Sequence, residues 1–422
     1  MDATTWIDIT IVLFSVVCFV SANTRYDGSK ILNVFNEDQQ LLQDLAENEE
    51  LDVWFRNQTN IEFLVQKRKM GAVKRFLRKQ DIPYLVRIDD VQNLIDKENI
   101  FQKRRSGFRL NNYNRLDGIY KWMDSLSDDY PEMVSIETIG YSHEGRALKV
   151  AKVSWGEPDA NAVFIDAGIH AREWISVATA IFILDSLVTN QSLLSPNMMK
   201  FDYYILPVLN PDGYEYSHTS NRLWRKNRSG SCGQCVGIDL NRNFAASFGG
   251  KGTSDDPCDE IFTGPSPFSE PETKAFSEYI IKIKKLRVYI SFHSYGQLIL
   301  LPYSYDKNAY PTDFEEIKEI GMKARGAIQK FSGTKYKVGR PPDILYAASG
   351  GSADWVKETA KVKFAYTYEL RDLGQYGFVL PSKQIITTAR EAFEGVKVMV
   401  EAAAKSFISP NTRSQSRRRH NR

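Results

Sequence analysis

Histidine is scarce in this chain of 422 residues, which carries only His143, His170, His218, His293 and His420. Imidazole chemistry is therefore confined to a few places, and no H-E-x-x-H pair occurs, which excludes a thermolysin-like helix site. Cysteine is scarcer still: Cys18 falls in the first apolar run, leaving Cys232, Cys235 and Cys258, an odd number with one thiol short of full pairing. Charge of one sign is also lacking. With 55 Lys and Arg against 52 Asp and Glu, the net charge is +3, too mild to argue for nucleic acid. Ile9 to Ser21 is an apolar run too short to span a bilayer comfortably. It has signal-peptide length, with Val20-Ser21-Ala22 as a cleavage site, although Asp2 and Asp8 stand where Lys or Arg is usual. We expect residues 1–22 to be a leader and the mature protein to be secreted. No internal repeat is visible.

A hydrophobic share of 42% suits one large core plus a smaller domain. Residues 23–105 read as the smaller one, with strands at Lys30 to Phe35, Leu51 to Phe55 and Tyr84 to Ile88 and a helix over Ile61 to Arg78. That order predicts an α+β sandwich with an antiparallel sheet and no catalytic cluster. Gln102-Lys103-Arg104-Arg105-Ser106 follows, a basic connection of the kind proteases nick, or else a solvated charge run. Over residues 106–408, helices alternate with apolar strands, among them Leu148 to Val153, Val163 to Ile165, Phe201 to Pro207, Val288 to Phe292 and Lys363 to Leu370. The rhythm predicts an α/β fold on a mixed, mostly parallel twisted sheet flanked by helices. Residues 409–422 hold Arg413, Arg417, Arg418, Arg419 and Arg422 and no acidic residue, the composition of a disordered basic tail.

The chain is organised around Ile165-Asp166-Ala167-Gly168-Ile169-His170-Ala171-Arg172-Glu173-Trp174. A buried strand stops at Gly168, and His170 and Glu173 follow before an apolar helix from Ile175 to Leu187. At that spacing an imidazole and a carboxylate can point at one zinc ion. His293 ends another apolar strand; two histidines and one carboxylate leave zinc a fourth position for water, the mark of a catalytic site. His143, His218 and His420 read as solvated. Hydrolysis at zinc also needs a general base, and Glu369 ends the strand Phe364 to Tyr368. A salt bridge to Arg371 or another strand end explains Glu369 equally well. Asn221 to Lys226 and Asn241-Arg242-Asn243 cluster arginines, whose planar fork can grip a carboxylate or simply face water. Cys232-Gly233-Gln234-Cys235 imitates a redox pair but sits in a Ser/Gly loop rather than at a helix start. Asn57, Asn190 and Asn227 head Asn-x-Ser/Thr glycan-acceptor sequences.

In order, His170-Ala171-Arg172-Glu173-Trp174, Asn210-Pro211-Asp212-Gly213, Trp224-Arg225-Lys226, Asp239-Leu240-Asn241-Arg242-Asn243, His293-Ser294-Tyr295, Tyr346 to Ser352 and Glu369-Leu370-Arg371-Asp372 resemble the secreted pancreatic-type zinc carboxypeptidases, the A/B group made as proenzymes. The resemblance implies that His170, Glu173 and His293 bind one zinc, a ligand set already familiar from carboxypeptidase A. It implies that Asp239 accepts from the outer nitrogen of His170, that Glu369 is the general base, and that Arg225 stabilises the oxyanion. Asn241, Arg242 and Tyr346 would hold the terminal carboxylate of a peptide, with Arg172, Ser294 and Tyr295 along the neighbouring subsites. Cys235 and Cys258 would form the loop disulfide. Cleavage at Arg104 or Arg105, by a trypsin-like or furin-like protease, would release the first domain from the cleft. The enzyme is expected to act as a monomer.

Leu300, Ser304, Leu345, Ala348, Ala353 and Thr367 match the specificity pocket. Ala353 stands where enzymes that remove Lys or Arg carry Asp, so the pocket is expected to take apolar or aromatic C-terminal residues. A secreted peptide-binding protein on the same fold, without catalysis, is the competing reading; the presence of Glu369 argues against it.

Overall fold

The computed structural model describes residues 23–103, 107–230 and 235–407. The expected leader, Arg104 and Arg105, Cys232 and the Arg-rich tail lie outside them. The first unit runs β1 (Lys30–Phe35), α1 (Gln39–Asn48), β2 (Asp52–Arg56), β3 (Asn60–Val65), α2 (Met70–Lys79), β4 (Tyr84–Ile88) and α3 (Val91–Lys103). Its antiparallel sheet has the order β2-β3-β1-β4. Leu42 and Leu45 of α1, with Val73 and Leu77 of α2, close over Leu32, Val34, Ile61 and Phe63 of the sheet. The single helix expected over Ile61 to Arg78 is corrected here. Ile61 to Val65 belong to β3, every residue of which is buried, and the chain turns at Gln66 before α2 begins. Asn60-Ile61-Glu62-Phe63 alternates polar and apolar residues as a strand does, but Leu64 and Val65 break the pattern just before the turn into α2.

The second unit continues with α4 (Leu116–Asp129), β5 (Val134–Tyr141), β6 (Ala147–Val153), β7 (Asn161–Ala167), α5 (Trp174–Thr189), β8 (Phe201–Leu206), α6 (Pro211–Thr219), α7 (Pro271–Lys282), β9 (Leu286–Ser294) and β10 (Leu298–Leu300). It ends with α8 (Phe314–Ser332), β11 (Lys337–Gly339), α9 (Pro341–Ile344), α10 (Ser352–Glu358), β12 (Phe364–Leu370) and α11 (Ile385–Phe407). Its sheet has the order β11-β10-β12-β9-β7-β8-β6-β5, with the four central strands β12, β9, β7 and β8 mutually parallel. Alternate residues serve two cores. Val163, Ile165, Val288 and Ile290 face α5 and α11, while Phe164, Tyr289 and Ala365 face Phe276 and Trp355. Because both faces are covered, the strands read as continuous apolar runs, and their carboxyl ends are where polar groups gather.

One surface expectation fails, and one open question closes. His218 lies on α6, not in a polar loop, with its ring stacked 3.8 Å from that of Trp174. Burial and the nearby Arg222 guanidinium hold this imidazole well below its usual range, so it stays neutral. Asn227 is fully buried: its amide donates to Glu270 at 2.7 Å, and its carbonyl accepts from the Ile238 N–H at 2.8 Å. No glycan can occupy that position in the folded protein. Among the described residues, no helix is long and apolar enough to cross a membrane.

Candidate metal centre and cleft

His170, Glu173 and His293 arrive at the carboxyl edge of the sheet from different elements. β7 ends at Ala167, and Gly168 turns the chain with φ of +64°; a Cβ there would meet Val177 at 2.8 Å. His170 follows in the loop and Glu173 caps α5, while His293 sits at the end of the neighbouring β9. All three side chains are buried, and their ligand atoms lie within 4.8 Å of one another. His170 Nδ1 is 2.8 Å from Glu173 Oε1, and His293 Nδ1 is 3.2 Å from Glu173 Oε2. The other nitrogen of His170, Nε2, is 3.1 Å from Asp239 Oδ1, which fixes the tautomer that leaves Nδ1 facing the cluster. Two imidazoles and one carboxylate, open to the cleft on one side, fit a zinc ion with room for one more ligand.

Asp239 is a hub. It caps a short turn at Leu240–Arg242, accepts the Asn241 N–H at 2.9 Å, and takes Nε and Nη2 of Arg225 at 3.1 and 2.8 Å. Although burial opposes its charge, the Arg225 and Arg242 guanidiniums hold Asp239 well below the usual carboxylate range. Arg225 is thereby fixed beside the metal cluster. Glu369 stands opposite, on β12, in register with His293 of β9. Burial, with Glu173 nearby, pushes its carboxyl up to about 8. The cleft between them is further lined by Asn241, Arg242, Ser294, Tyr295 and Tyr346.

At the cleft's far end stand Leu300, Ser304, Pro341, Leu345, Ala348 and Thr367. Ala353 does not line it; this short side chain lies on α10 and packs against the second core. Behind Ser304 is Asp354, 1% exposed, whose Oδ2 accepts the Ser304 N–H at 2.7 Å. Arg172 and Asp239 are likewise set back from the open surface, Arg172 beneath Asp52 and Asp239 behind Arg225. Cys235 and Cys258 form a disulfide.

Sequence reasoning missed the residues that cover this cleft. Trp54, Phe55 and Arg56 of β2 line it from the first unit. Trp54 packs edge-on against Phe378 at 5.0 Å, Phe55 stacks on Tyr295 at 6.1 Å, and Arg56 lies over Tyr346 at 5.7 Å. Asp52 accepts from Arg172, and Glu62 accepts the Tyr295 hydroxyl at 2.6 Å. The signal was the consecutive Val53-Trp54-Phe55, apolar on both faces of a strand at a sheet edge, which requires a partner on each side. The space left under this cover is about 130 Å³. A void of about 150 Å³ takes one benzene ring.

Residues 119–395 match the zinc carboxypeptidase family, and residues 31–98 match the carboxypeptidase activation peptide. The chain belongs to this family and carries its activation domain. It is a metallocarboxypeptidase, a peptide hydrolase with zinc as its metal. Carboxypeptidase A2 of Mus musculus is 39% identical over 412 residues, covering 93% of this chain and 98% of that protein. Carboxypeptidase B of Astacus astacus is 44% identical over 298 residues, covering 70% of this chain and 98% of that protein. The crystal structure of thrombin activatable fibrinolysis inhibitor matches with a TM-score of 0.83 at 35% identity, covering 90% of this chain and all (100%) of that one. Relatives named for A and for B thus stand side by side.

Proposed function

We propose that this protein is an exported proenzyme whose mature form removes apolar and aromatic residues from the C-termini of peptides. The observation that carries the exopeptidase reading is the convergence of His170, Glu173, His293, Glu369 and Arg225 on one cleft that also holds Asn241, Arg242 and Tyr346. Zinc bound there supplies Lewis acidity toward a carbonyl and acidifies a water. Glu369 takes the proton from the attacking water and returns it to the leaving amine. Arg225, held by Asp239, aims its guanidinium at the developing oxyanion; losing a donor of this kind costs about 3–4 kcal/mol in the barrier. Asn241, Arg242 and Tyr346 hold the substrate's terminal carboxylate, which restricts cutting to the last bond. Arg172, Ser294 and Tyr295 meet the residues upstream. The first domain denies substrate access until cleavage at Arg104 or Arg105 frees it.

The apolar preference rests on the far end of the cleft. Leu300, Pro341, Leu345 and Ala348 present hydrocarbon, and Ser304 and Thr367 present only hydroxyls. A C-terminal Lys or Arg would be desolvated there without a facing carboxylate, at a cost of several kcal/mol. One observation favours a B-like second reading: Asp354 lies directly behind Ser304. Its carboxyl is turned to the Ser304 N–H, and burial pushes it up to about 7, which favours the apolar reading. The test is release from blocked dipeptides ending in Phe or Lys after trypsin activation, with and without a zinc chelator. Chelator-sensitive release of Phe with little Lys is expected. Release of Lys keeps the enzyme and sinks the pocket, while release of neither, from zinc-loaded and cleaved protein, favours the peptide-binding reading.

A further inference from the structure

The two metal-facing imidazoles are held differently. His170 has a carboxylate on its outer nitrogen, whereas His293 Nε2 is buried and meets no hydrogen-bonding atom among the described residues. An imidazole that binds zinc through Nδ1 carries its proton on Nε2, so this atom is a donor in need of an acceptor. An uncompensated buried donor is costly. The matching acceptor lies on the adjacent strand. Asp166 of β7 is fully buried; its Oδ1 accepts the Ser291 hydroxyl at 2.8 Å, the Tyr289 hydroxyl lies close by and helps hold its charge, and its Oδ2 makes no contact of ordinary hydrogen-bond length among the described residues. Asp166 sits opposite Ser291 in the parallel β7–β9 register, and His293 follows Ser291 by two residues on the same face. Asp166 and His293 also act on one another electrostatically.

We infer that Asp166 is the positioning carboxylate of His293, joined to its Nε2 through one buried water. The orphaned atoms make no direct contact, and a buried water needs two to four polar partners. Asp166 Oδ2 and His293 Nε2 are two; the Tyr289 hydroxyl, which acts on Asp166 and donates to Ser352 at 2.9 Å, offers a third. Each zinc-binding imidazole then has its own carboxylate, Asp239 by contact and Asp166 by relay. This deepens the zinc reading and depends on it.

The test is zinc affinity of the full-length chain by competition with a chromogenic chelator, paired with the visible spectrum of the cobalt(II)-substituted protein. Asp166→Ala is expected to weaken zinc about 10- to 100-fold, the usual cost of losing such a partner, and to shift the cobalt bands. Asp166→Asn, which keeps an acceptor oxygen without the charge, is expected to lose less while still shifting the bands. Ser291→Ala, which removes a hydroxyl donor but leaves the Asp166 carboxylate, is expected to weaken zinc less than Asp166→Ala. Wild-type zinc affinity and unchanged cobalt bands in Asp166→Ala would overturn the inference. If that variant does not fold, the same result in Asp166→Asn overturns it. Failure of the parent chain to bind zinc would instead overturn the zinc reading itself.

Discussion

Arg172 of the catalytic unit and Asp52 of the first domain meet at 2.8 Å, Nη1 to Oδ2, with the Arg172 side chain only 2% exposed. A guanidinium that would meet the substrate is thus occupied by a carboxylate from the cover, and its other face lies on Phe378 at 4.2 Å. Breaking one side of a buried pair costs roughly 3–5 kcal/mol because the remaining charge is stranded. Asp52→Ala is therefore expected to raise hydrolysis of a small peptide by the intact, uncleaved chain at least about 10-fold. Equal activity of the two intact chains would show that the pair does not hold the cover shut.

Cleavage alone does not undo every contact. Glu98 of α3 lies upstream of Arg104 and accepts from Arg222 at 2.6 and 3.1 Å, with both side chains buried. Arg222 also donates to the Phe378 carbonyl at 2.6 Å, beside the cleft. Activity should consequently lag behind chain cleavage until the freed segment departs. Glu98→Gln, which removes the charge, should shorten that lag. A time course in which cleavage and activity coincide in the parent would contradict this.

Asp354 makes stability depend on pH in a defined direction. Burial, with Glu358 adding to it, raises its pKa from 3.8 to about 7. Between those values the unfolded chain has released the proton that the folded chain keeps, so stability falls as pH rises through the window. The loss is on the order of 2–4 kcal/mol. Asp354→Asn can accept the Ser304 N–H and donate to its hydroxyl without titrating. Its melting temperature relative to the parent should rise between pH 4.5 and pH 8. A constant difference would mean that Asp354 ionises normally.

Of the three acceptor sequences, only two are open to glycan. Asn190 is exposed at the end of α5, and Asn57 sits in the turn between β2 and β3, whereas Asn227 is sealed against Glu270 and Glu272. Glycopeptide mapping of protein from a secretory host should find Asn227 unmodified. An occupied Asn227 in active enzyme would contradict the packing described.

The place of the cleft is legible because its polar groups sit where strands end. His170, His293 and Glu369 each close an apolar run, and that coincidence is visible in the chain itself. The metal-facing geometry of Glu173 was legible from its three-residue spacing to His170. Elsewhere the local pattern misleads. β3 runs through Leu64 and Val65 into the turn before α2, so the apolar stretch from Ile61 onward reads as one helix, and no local feature announces that Trp174 stacks on His218. The cover was the hardest part to see, since Asp52 and Arg172 are 120 residues apart and their pairing exists only after both units fold. Ala353 matches a pocket position in sequence, yet its side chain packs against the second core and does not line the cleft.

On the proposed mechanism Glu369 is the proton carrier of a zinc peptidase and not a structural carboxylate. The most direct measurement is kcat of activated Glu369→Gln on a blocked dipeptide ending in Phe, with zinc content determined on the same sample. Glu369 is not among the three residues that cluster for the metal, so zinc should stay at one per chain. A positioned general base contributes about 10²–10⁴-fold, so kcat should fall at least that far. Near-parental turnover with zinc in place would make Glu369 a structural carboxylate.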